Sequence, residues 1–361
     1  MGPQGDGMER VQGEPVVNAP AVTVVVVNYN GGDYLRGCLA SLARQTFTDF
    51  ETIVIDNASS DDSLSRIGEQ PARTILLRQE SNLGFAAGNN VGARAGRGRW
   101  LALLNPDAEA SPDWLAAMMR AVERRPTHRL VACLQISLHE PGRLDGAGDC
   151  YLAYGYAWRG GFGHRLADAP PAGECFAPCG AAALYPRDIF LESGGFDERY
   201  FCYHEDVDIA FRLRLRGERC QFVPDAIVQH AGSAITGRSS VFAVFHGVRN
   251  GVWTYVKNMP GGLLLVTAPV WLVGSLMLLA RGAVRGVLAP TWLGFWAAFK
   301  GLGPVLKTRA ELKAARRISS GELAAALAWN PFSYLGRSIQ VAPFADDQSE
   351  IRSTSANARK T

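Results

Sequence analysis

The chain has 361 residues, of which 47% are hydrophobic and 20% are charged, and its formal net charge is +3. A chain of this length and apolar content can bury one large core or two modest ones. The near balance of charge excludes a strongly basic nucleic-acid-binding domain, so no nucleic-acid partner is expected.

The seven cysteines lack the spacing of a metal site, and the closest pair, Cys175 and Cys179, has no second pair nearby. An odd number of cysteines without an apolar signal segment favours buried or idle thiols in a reducing cytoplasm. Residues 1–20 are rich in Gly, Pro, Gln and Glu and predict a disordered leader, and the polar end predicts a disordered tail over 341–361.

Strands and helices alternate in the first third of the chain. Apolar, partly β-branched runs predict buried strands at 22–28, 51–56, 73–78 and 100–105. Helices are predicted along a stripe at 35–42, in a short segment capped by Ser59 or Ser60, from Asn82 to about 96, and from the cap at 111–113 to 124. This alternation predicts an α/β fold with a mainly parallel, Rossmann-like sheet.

Polar residues follow three of these strands, at 28–30, 56–57 and 105–107. Each segment alone is explained by the turn preference of Asn, Asp, Ser and Pro. Ligands of open α/β sheets bind beyond the carboxyl ends of the strands, where all three segments would meet. The repeated pattern therefore predicts a polar ligand site at that edge.

The alternation breaks after about residue 125, where Gly, Pro and aromatic residues become common. An acidic cluster at 203–208 (YHEDVD) then leads into a helix predicted over 209–217. We interpret 21–125 as a nucleotide-sugar half and 126–257 as an acceptor half of one domain.

Six segments in order resemble the inverting glycosyltransferases of family 2, which have the GT-A fold, and in particular their bacterial rhamnosyltransferase-like branch. They are VVVVNYNGGDYLRGCLASLARQ, IDNASSDDS, SNLGFAAGNN, LLNPDAE, GGFDERYFCYHEDVDIAFRLRLRG and the later His230. The resemblance implies transfer of a sugar from a nucleotide-diphosphate donor to a hydroxyl of a glycan or lipid-linked acceptor, in cell-surface polysaccharide synthesis. It favours dTDP-rhamnose as the donor, and UDP-sugars remain open.

The resemblance also implies a divalent cation, Mg²⁺ or Mn²⁺, beside the donor diphosphate. Asp107 matches the second acid of the family's metal motif, whereas Asn105 stands where the first acid is expected. Asn105 is therefore interpreted as a ribose contact or a support for the loop. His230 matches a position that completes the metal shell, and a packed histidine is the alternative.

The predicted nucleotide-binding residues are Asn28, Tyr29, Asn30, Asp56, Asn57, Asn82, Gly84 and Asn105. The Asp56 carboxylate would accept the imide N–H of uracil or thymine, and an Asx-turn is the alternative. Tyr29 and Asn30 would line the base and ribose pocket. Gly84 and Gly88 would allow close approach to the nucleotide, or would serve helix packing.

The resemblance assigns Asp206 as the general base that takes the proton of the acceptor hydroxyl. Glu205 would hold the acceptor or raise the pKa of its neighbour by charge repulsion, and Asp208 is interpreted as structural. The alternative is that these acids only favour the positive end of the helix dipole. Attack opposite the leaving group inverts the anomeric centre and requires no carboxylate nucleophile.

The segment 258–280 contains no charged residue, and 286–299 is a second uncharged run with Trp292 and Trp296. Prolines and glycines interrupt the first run, and the segment 281–317 has eight basic residues and one acid. The region 258–340 therefore predicts helices that lie in the membrane interface on the cytoplasmic face, as a peripheral or monotopic protein. A buried pair of core helices is the alternative.

Two other functional classes compete with a glycosyltransferase. An inactive nucleotide-sugar-binding module is disfavoured because Asp107, Asp206 and His230 are all present. A nucleotidyltransferase would carry a basic, glycine-rich phosphate loop after the first strand, where this chain has no basic residue until Arg36.

Overall fold

The computed structural model describes residues 19–232 and 240–345. Its strands are β1 (Val22–Asn28), β2 (Phe50–Asp56), β3 (Thr74–Arg78), β4 (Trp100–Leu104), β5 (Ala108–Ala110), β6 (Leu130–Ser137), β7 (Leu144–Ala147), β8 (Asp149–Leu152), β9 (Tyr156–Arg159), β10 (Gly173–Cys175), β11 (Ala182–Pro186) and β12 (Cys220–His230). Its helices are α1 (Gly32–Ala43), α2 (Gly84–Ala95), α3 (Trp114–Arg124), α4 (Arg187–Glu192), α5 (Glu205–Leu215), α6 (Val241–Asn258), α7 (Gly261–Val284), α8 (Leu288–Lys300), α9 (Leu302–Ala315), α10 (Ser320–Ala326) and α11 (Pro331–Leu335).

A mixed sheet of ten strands runs through both predicted halves of the described chain. Its main order is β10-β12-β6-β11-β4-β1-β2-β3, with β5 beside β12 and β7 beside β6. The run from β4 to β3 is parallel, and Asn28 pairs with Asp56 at its carboxyl edge. The predicted α/β architecture and the common edge of the polar strand ends are therefore confirmed.

Helices cover both faces of the sheet because its central strands are apolar on both sides. One core joins the even-numbered β1 valines to α1 and α3, and the other joins Val25 and Val27 to α2, α4 and α5. Gly88 and Gly92 let α2 pack on β1, since a Cβ at either would lie within 2.8 Å of a valine methyl. The packing interpretation of Gly88 is thus the one that the contacts support.

The short helix predicted after Ser59 is wrong, because residues 57–73 form turns and bends. Side chains here bond the nearby backbone instead: Asp56 accepts the N–H of Ser59, and Asp61 accepts the N–H of Ser63. Such local bonds compete with a helix. The helix predicted at Asn82 begins at Gly84, and Asn82 Oδ1 accepts the Gly84 N–H at 2.9 Å.

Helices fill the region predicted over 258–340, and α7 runs through Pro269 without a break. The predicted interruption is therefore present at Pro260, between α6 and α7, and is wrong at Pro269 and Gly274, which lie inside α7. Part of the predicted tail also packs on the domain: Ala342 pairs with Glu174 of β10, and Phe344 is buried. Residues 1–18 of the predicted leader and residues 346–361 of the predicted tail lie outside the described residues.

Candidate active site

A cleft of 570 Å³ opens at the carboxyl ends of β1, β2 and β4. The amino end of α5 and the loop before it form the opposite wall. Most predicted site residues line this cleft, namely Tyr29, Asn57, Asn82, Gly84, Asn105, Asp107, Glu205, Asp206 and His230. The strand ends of the first half therefore face the acidic cluster of the second.

Two predicted nucleotide-binding residues instead support the turn after β2. Asn28 is fully buried, and its Nδ2 donates to the hydroxyls of Ser59 and Ser63 at 3.0 Å each. Asn30 has a positive φ of 53°, and its Oδ1 accepts the N–H of Ser60 at 2.8 Å. Neither is among the lining residues that the structure describes, so these contacts support the turn, and binding of the nucleotide by Asn28 and Asn30 stays a prediction.

Asp56 ends β2 and also lies outside the described lining of the cleft. Its Oδ1 accepts the N–H of Ser59 at 3.2 Å, which is the Asx-turn contact weighed above. The turn interpretation therefore holds for one of its oxygens, and base recognition stays a prediction. Tyr29, which follows β1, is 39% exposed and lines the cleft.

Asn57 and Asn82 fix the start of α2. Asn57 Nδ2 donates to Asn82 Oδ1 at 2.8 Å, and Asn57 Oδ1 accepts the N–H of Leu83 at 2.9 Å. Gly84 has a φ of +83°, and a Cβ there would lie 2.6 Å from the carbonyl oxygen of Phe201. Only glycine lets α2 begin this close to the loop that leads to α5.

His230, at the end of β12, lies between two carboxylates. Its Nε2 is 3.2 Å from Asp107 Oδ1, and its Nδ1 is 2.7 Å from Asp145 Oδ2. Asn105 Nδ2 lies 3.3 Å from the same Nε2. Burial alone would lower the pKa of His230, but hydrogen bonds to Asp107 and Asp145 raise it above its ordinary value. Asp145 thus orients the imidazole so that Nε2 lies beside Asp107.

Asp206 and Glu205, in the first turn of α5, have different surroundings. Asp206 Oδ2 accepts the N–H of Gly180, and its Oδ1 accepts the N–H of Val207, both at 2.8 Å. Glu205 is buried, and its Oε2 has no partner among the described residues. Burial and then the charge of Asp206 raise the pKa of Glu205 well above its ordinary value, which favours its protonated form.

A buried ion network anchors α5 behind these two acids. Asp208 accepts from Arg212 at 2.9 Å and from Lys257 at 2.8 Å, and its side chain is fully buried. Burial would raise the pKa of Asp208, but the two cations hold it below its ordinary value. The predicted structural role of Asp208 agrees with these contacts.

Residues 23–194 match the family model of glycosyl transferase family 2. The chain belongs to glycosyltransferase family 2. It is 28% identical over 292 residues to an N-acetylglucosaminyl-diphospho-decaprenol L-rhamnosyltransferase of Mycobacterium tuberculosis, covering 73% of this chain and 93% of that relative. It is also 30% identical over 240 residues to an uncharacterized protein of Sinorhizobium fredii, which covers 62% of this chain and spans 26% of that relative's length.

The fold of this glycosyltransferase is also that of solved enzymes. A mannosyltransferase of Pyrobaculum calidifontis, solved with GDP-Man and Mn²⁺, superposes with a TM-score of 0.50 at 20% identity. The superposition covers 83% of this chain and 86% of that one. The GT-A fold expected from the sequence is confirmed.

The glycosyltransferase site includes three charged residues that the sequence motifs missed: Asp145, Asp149 and Arg159. Arg159 lines the cleft and donates to Asp145. Asp149, Cys179 and Asp206 place ligand atoms within 4.8 Å of one another. Burial raises the pKa of Asp149 and of the Cys179 thiol well above their ordinary ranges.

Proposed function

We propose that this family 2 glycosyltransferase inverts the anomeric centre as it moves a sugar from a nucleoside diphosphate to an acceptor hydroxyl. One observation carries the proposal: the Asp107–His230 pair and the Asp206 carboxylate line the same 570 Å³ cleft. Asp107 and His230 would lie beside the diphosphate of the donor. The Asp206 carboxylate would lie beside the acceptor hydroxyl.

The side chains that would lie beside the donor diphosphate fit the ligand set of a divalent cation. Asp107 supplies a carboxylate, His230 supplies Nε2, and Asn105 has a buried Oδ1 with no partner among the described residues. A bound cation neutralises negative charge on the leaving diphosphate. Mg²⁺ takes almost only oxygen ligands, so the imidazole favours Mn²⁺. The Pyrobaculum calidifontis mannosyltransferase, whose structure holds Mn²⁺, supports this choice.

Asp145 would orient His230 toward this cation. Its carboxylate lies 2.7 Å from Nδ1 and leaves Nε2 as the ring atom at Asp107. A carboxylate behind a metal-bound histidine fixes the ring and increases the basicity of the ligand. The Arg159 guanidinium, which also bonds Asp145, would attract the donor phosphates into the cleft.

Asp206 would act as the base. The acceptor oxygen attacks the anomeric carbon, the bond from that carbon to the β-phosphate oxygen breaks, and the hydroxyl proton passes to the Asp206 carboxylate. Two backbone N–H groups hold this carboxylate in place. Such rigidity suits a base that must meet the acceptor within hydrogen-bond reach. Glu205, protonated, would donate a hydrogen bond to the acceptor.

The sugar is proposed to be rhamnose from dTDP-rhamnose. The 28% identity to the mycobacterial rhamnosyltransferase, across 93% of that enzyme, supports this donor. Asp56 and Tyr29, at the tips of neighbouring strands, would receive a thymine or uracil base. UDP-sugars fit the same base pocket and are the second candidates.

The acceptor is proposed to be a glycan or a lipid-linked glycan at the cytoplasmic face of the membrane. Among the described residues, one helix, α7, is long and apolar enough to cross a membrane. Its most apolar 18-residue stretch has a mean hydropathy of 2.2, and only 11% of that stretch is buried. One face of α7 contacts the catalytic domain along its length, through Thr267, Trp271 and Ser275. The other face exposes large apolar residues, among them Leu265 and Met277. A helix fixed to the domain in this way favours an interfacial position.

The test is incubation of the full-length chain with Mn²⁺, a panel of dTDP- and UDP-sugars, and lipid-linked and soluble glycan acceptors. Release of the nucleoside diphosphate and a product of opposite anomeric configuration by NMR are expected. Transfer that retains the donor configuration contradicts the mechanism. Full activity in excess chelator contradicts the cation.

A further inference from the structure

A second cavity, of 650 Å³, adjoins the active-site cleft. Three helices of the C-terminal part, α6, α7 and α8, form its walls, and the β8–β9 hairpin and the end of α11 close it. His204, the residue before α5, lines both cavities. We call this second cavity the helical groove. Its wall therefore includes the residue that directly precedes Glu205 and Asp206.

The helical groove is apolar inside. Its walls include Val248 of α6, Leu278 of α7 and Phe295 of α8. Glycine keeps it open, since a Cβ at Gly247 would meet no atom within 4 Å and one at Gly251 would lie 3.5 Å from His204 Nε2. An apolar cavity of this volume is within the range of sites for small organic ligands or acyl chains.

Three arginines, Arg281, Arg285 and Arg337, line the same groove. All are exposed, and none forms an ion pair with any residue in 19–232 or 240–345. Arg337 has a positive φ of 53°, and its own carbonyl oxygen accepts the N–H of Gly161 at 2.7 Å. This conformation closes the end of α11, where the N–H of Ser338 donates to the carbonyl oxygen of Ser333 at 2.9 Å, and Arg337 lines the groove from this end. Three unpaired cations beside apolar walls suit an anion that bears an apolar chain.

We propose that the helical groove binds the acceptor as a lipid phosphate, with phosphate oxygens on Arg281, Arg285 and Arg337 and the chain between α6, α7 and α8. This inference rests on the proposed function, because it assigns the groove to the acceptor of the transfer. The acceptor sugar then passes His204 to reach Asp206. Helix α8, which lines the groove, also exposes Trp292, Leu293 and Trp296, so a lipid chain would leave the groove toward the membrane.

The first experiment measures binding of dodecyl phosphate to the full-length chain in an uncharged maltoside detergent by calorimetry. Arg281→Gln and Arg285→Gln should each weaken binding about tenfold, the scale of one charge-assisted hydrogen bond. Gly247→Leu should abolish binding while keeping the fold, because its side chain would fill open space and leucine favours a helix. Lys307→Gln, an exposed cation of α9 outside the groove, is the matched control and should bind normally.

Two control ligands distinguish binding of a lipid phosphate from binding of an apolar chain alone or of free phosphate. Dodecanol should bind at least tenfold more weakly than dodecyl phosphate, and inorganic phosphate should not compete at equal concentration. Equal binding of dodecanol, full competition by inorganic phosphate, or arginine variants that bind like wild type would each overturn the proposal.

The second experiment separates the groove from the proposed reaction. The same acceptor sugar is offered on dodecyl diphosphate and on a phosphate-free dodecyl glycoside. Arg281→Gln should raise the KM of the phosphate-bearing acceptor about tenfold, with kcat and the donor KM unchanged, and should leave the glycoside reaction unaffected. An equal effect on both acceptors overturns the phosphate assignment. If wild type transfers no sugar to either acceptor, the proposed function is wrong. If dodecyl phosphate binding still requires the arginines in that case, the assignment of the groove as a lipid-phosphate site is retained.

Discussion

Replacement of Asp206 by Asn tests the base directly, because it removes the proton acceptor and little else. Asp206 accepts two backbone N–H groups, one on each oxygen. Asparagine keeps one acceptor oxygen, so the fold loses one hydrogen bond of about 1 kcal/mol, with any unpaired N–H adding to that. The transfer rate should instead fall by about two to four orders of magnitude, the range for loss of a general base.

The assay compares donor affinity by calorimetry with the transfer rate under saturating substrates. Asp206→Asn should bind the donor nearly as wild type does. Glu205→Gln is the matched control: it makes the same carboxyl-to-amide change at the neighbouring acid, whose proposed role is a hydrogen bond to the acceptor, so it should cost less and act mainly on the acceptor KM. Near wild-type transfer by Asp206→Asn, or loss of its donor binding, refutes the assignment and moves the base to Glu205 or His204.

Three further predictions follow from the contacts. Asp145→Asn should weaken Mn²⁺ binding by about 10–100-fold, measured by calorimetry, because it no longer orients His230; unchanged affinity contradicts this. Asp208→Asn should lower the free energy of unfolding by about 3–5 kcal/mol at neutral pH, because it leaves Lys257 buried with one partner fewer. The folded-state pKa of Asp208 is lowered, so protonation below about pH 4 removes the stability that its charge contributes. The difference in unfolding free energy between wild type and Asp208→Asn should therefore shrink below about pH 4 in urea titrations, and a constant difference refutes the prediction. Leu265→Gln with Met277→Gln should reduce sedimentation with anionic vesicles without reducing transfer to a soluble acceptor, and unchanged sedimentation contradicts the interfacial face.

Much of the fold could be predicted from the sequence because its parallel strands are long apolar runs. The VTVVVVN run of β1 is apolar on both faces, which predicts a strand in the centre of a sheet covered on both sides. The polar residues after it mark the carboxyl edge of that sheet. Local rules failed where side chains bond the backbone, as Asp56 and Asp61 do in the turns that replace the predicted helix. They failed again at Pro269, which α7 accommodates without ending.

The presence of Asp107 and His230 in the cleft could be predicted because short motifs carry them, and their role as metal ligands stays a prediction. Asp145, Asp149 and Arg159 could not, because they lie on short strands of the irregular second half and no motif surrounds them. Their relation depends on pairing: β8 and β9 place Asp149 opposite Arg159, and only this antiparallel register brings the arginine to the Asp145 carboxylate. The sequence spacing does not reveal which of these acids pairs with the arginine.

Pairing with cations limits the charge repulsion among the acids in and behind the cleft. Asp145 is paired with Arg159 and His230, and Asp208 is paired with Arg212 and Lys257. Burial raises the pKa of Asp149 and of Glu205 well above their ordinary values, which favours their protonated forms. Asp206 therefore stands apart: it is only partly buried, faces the cleft, and is held by backbone N–H groups alone. Among the acids on this wall, that combination of access and rigid support is what a base requires, and it is the physical reason to assign the proton transfer to Asp206.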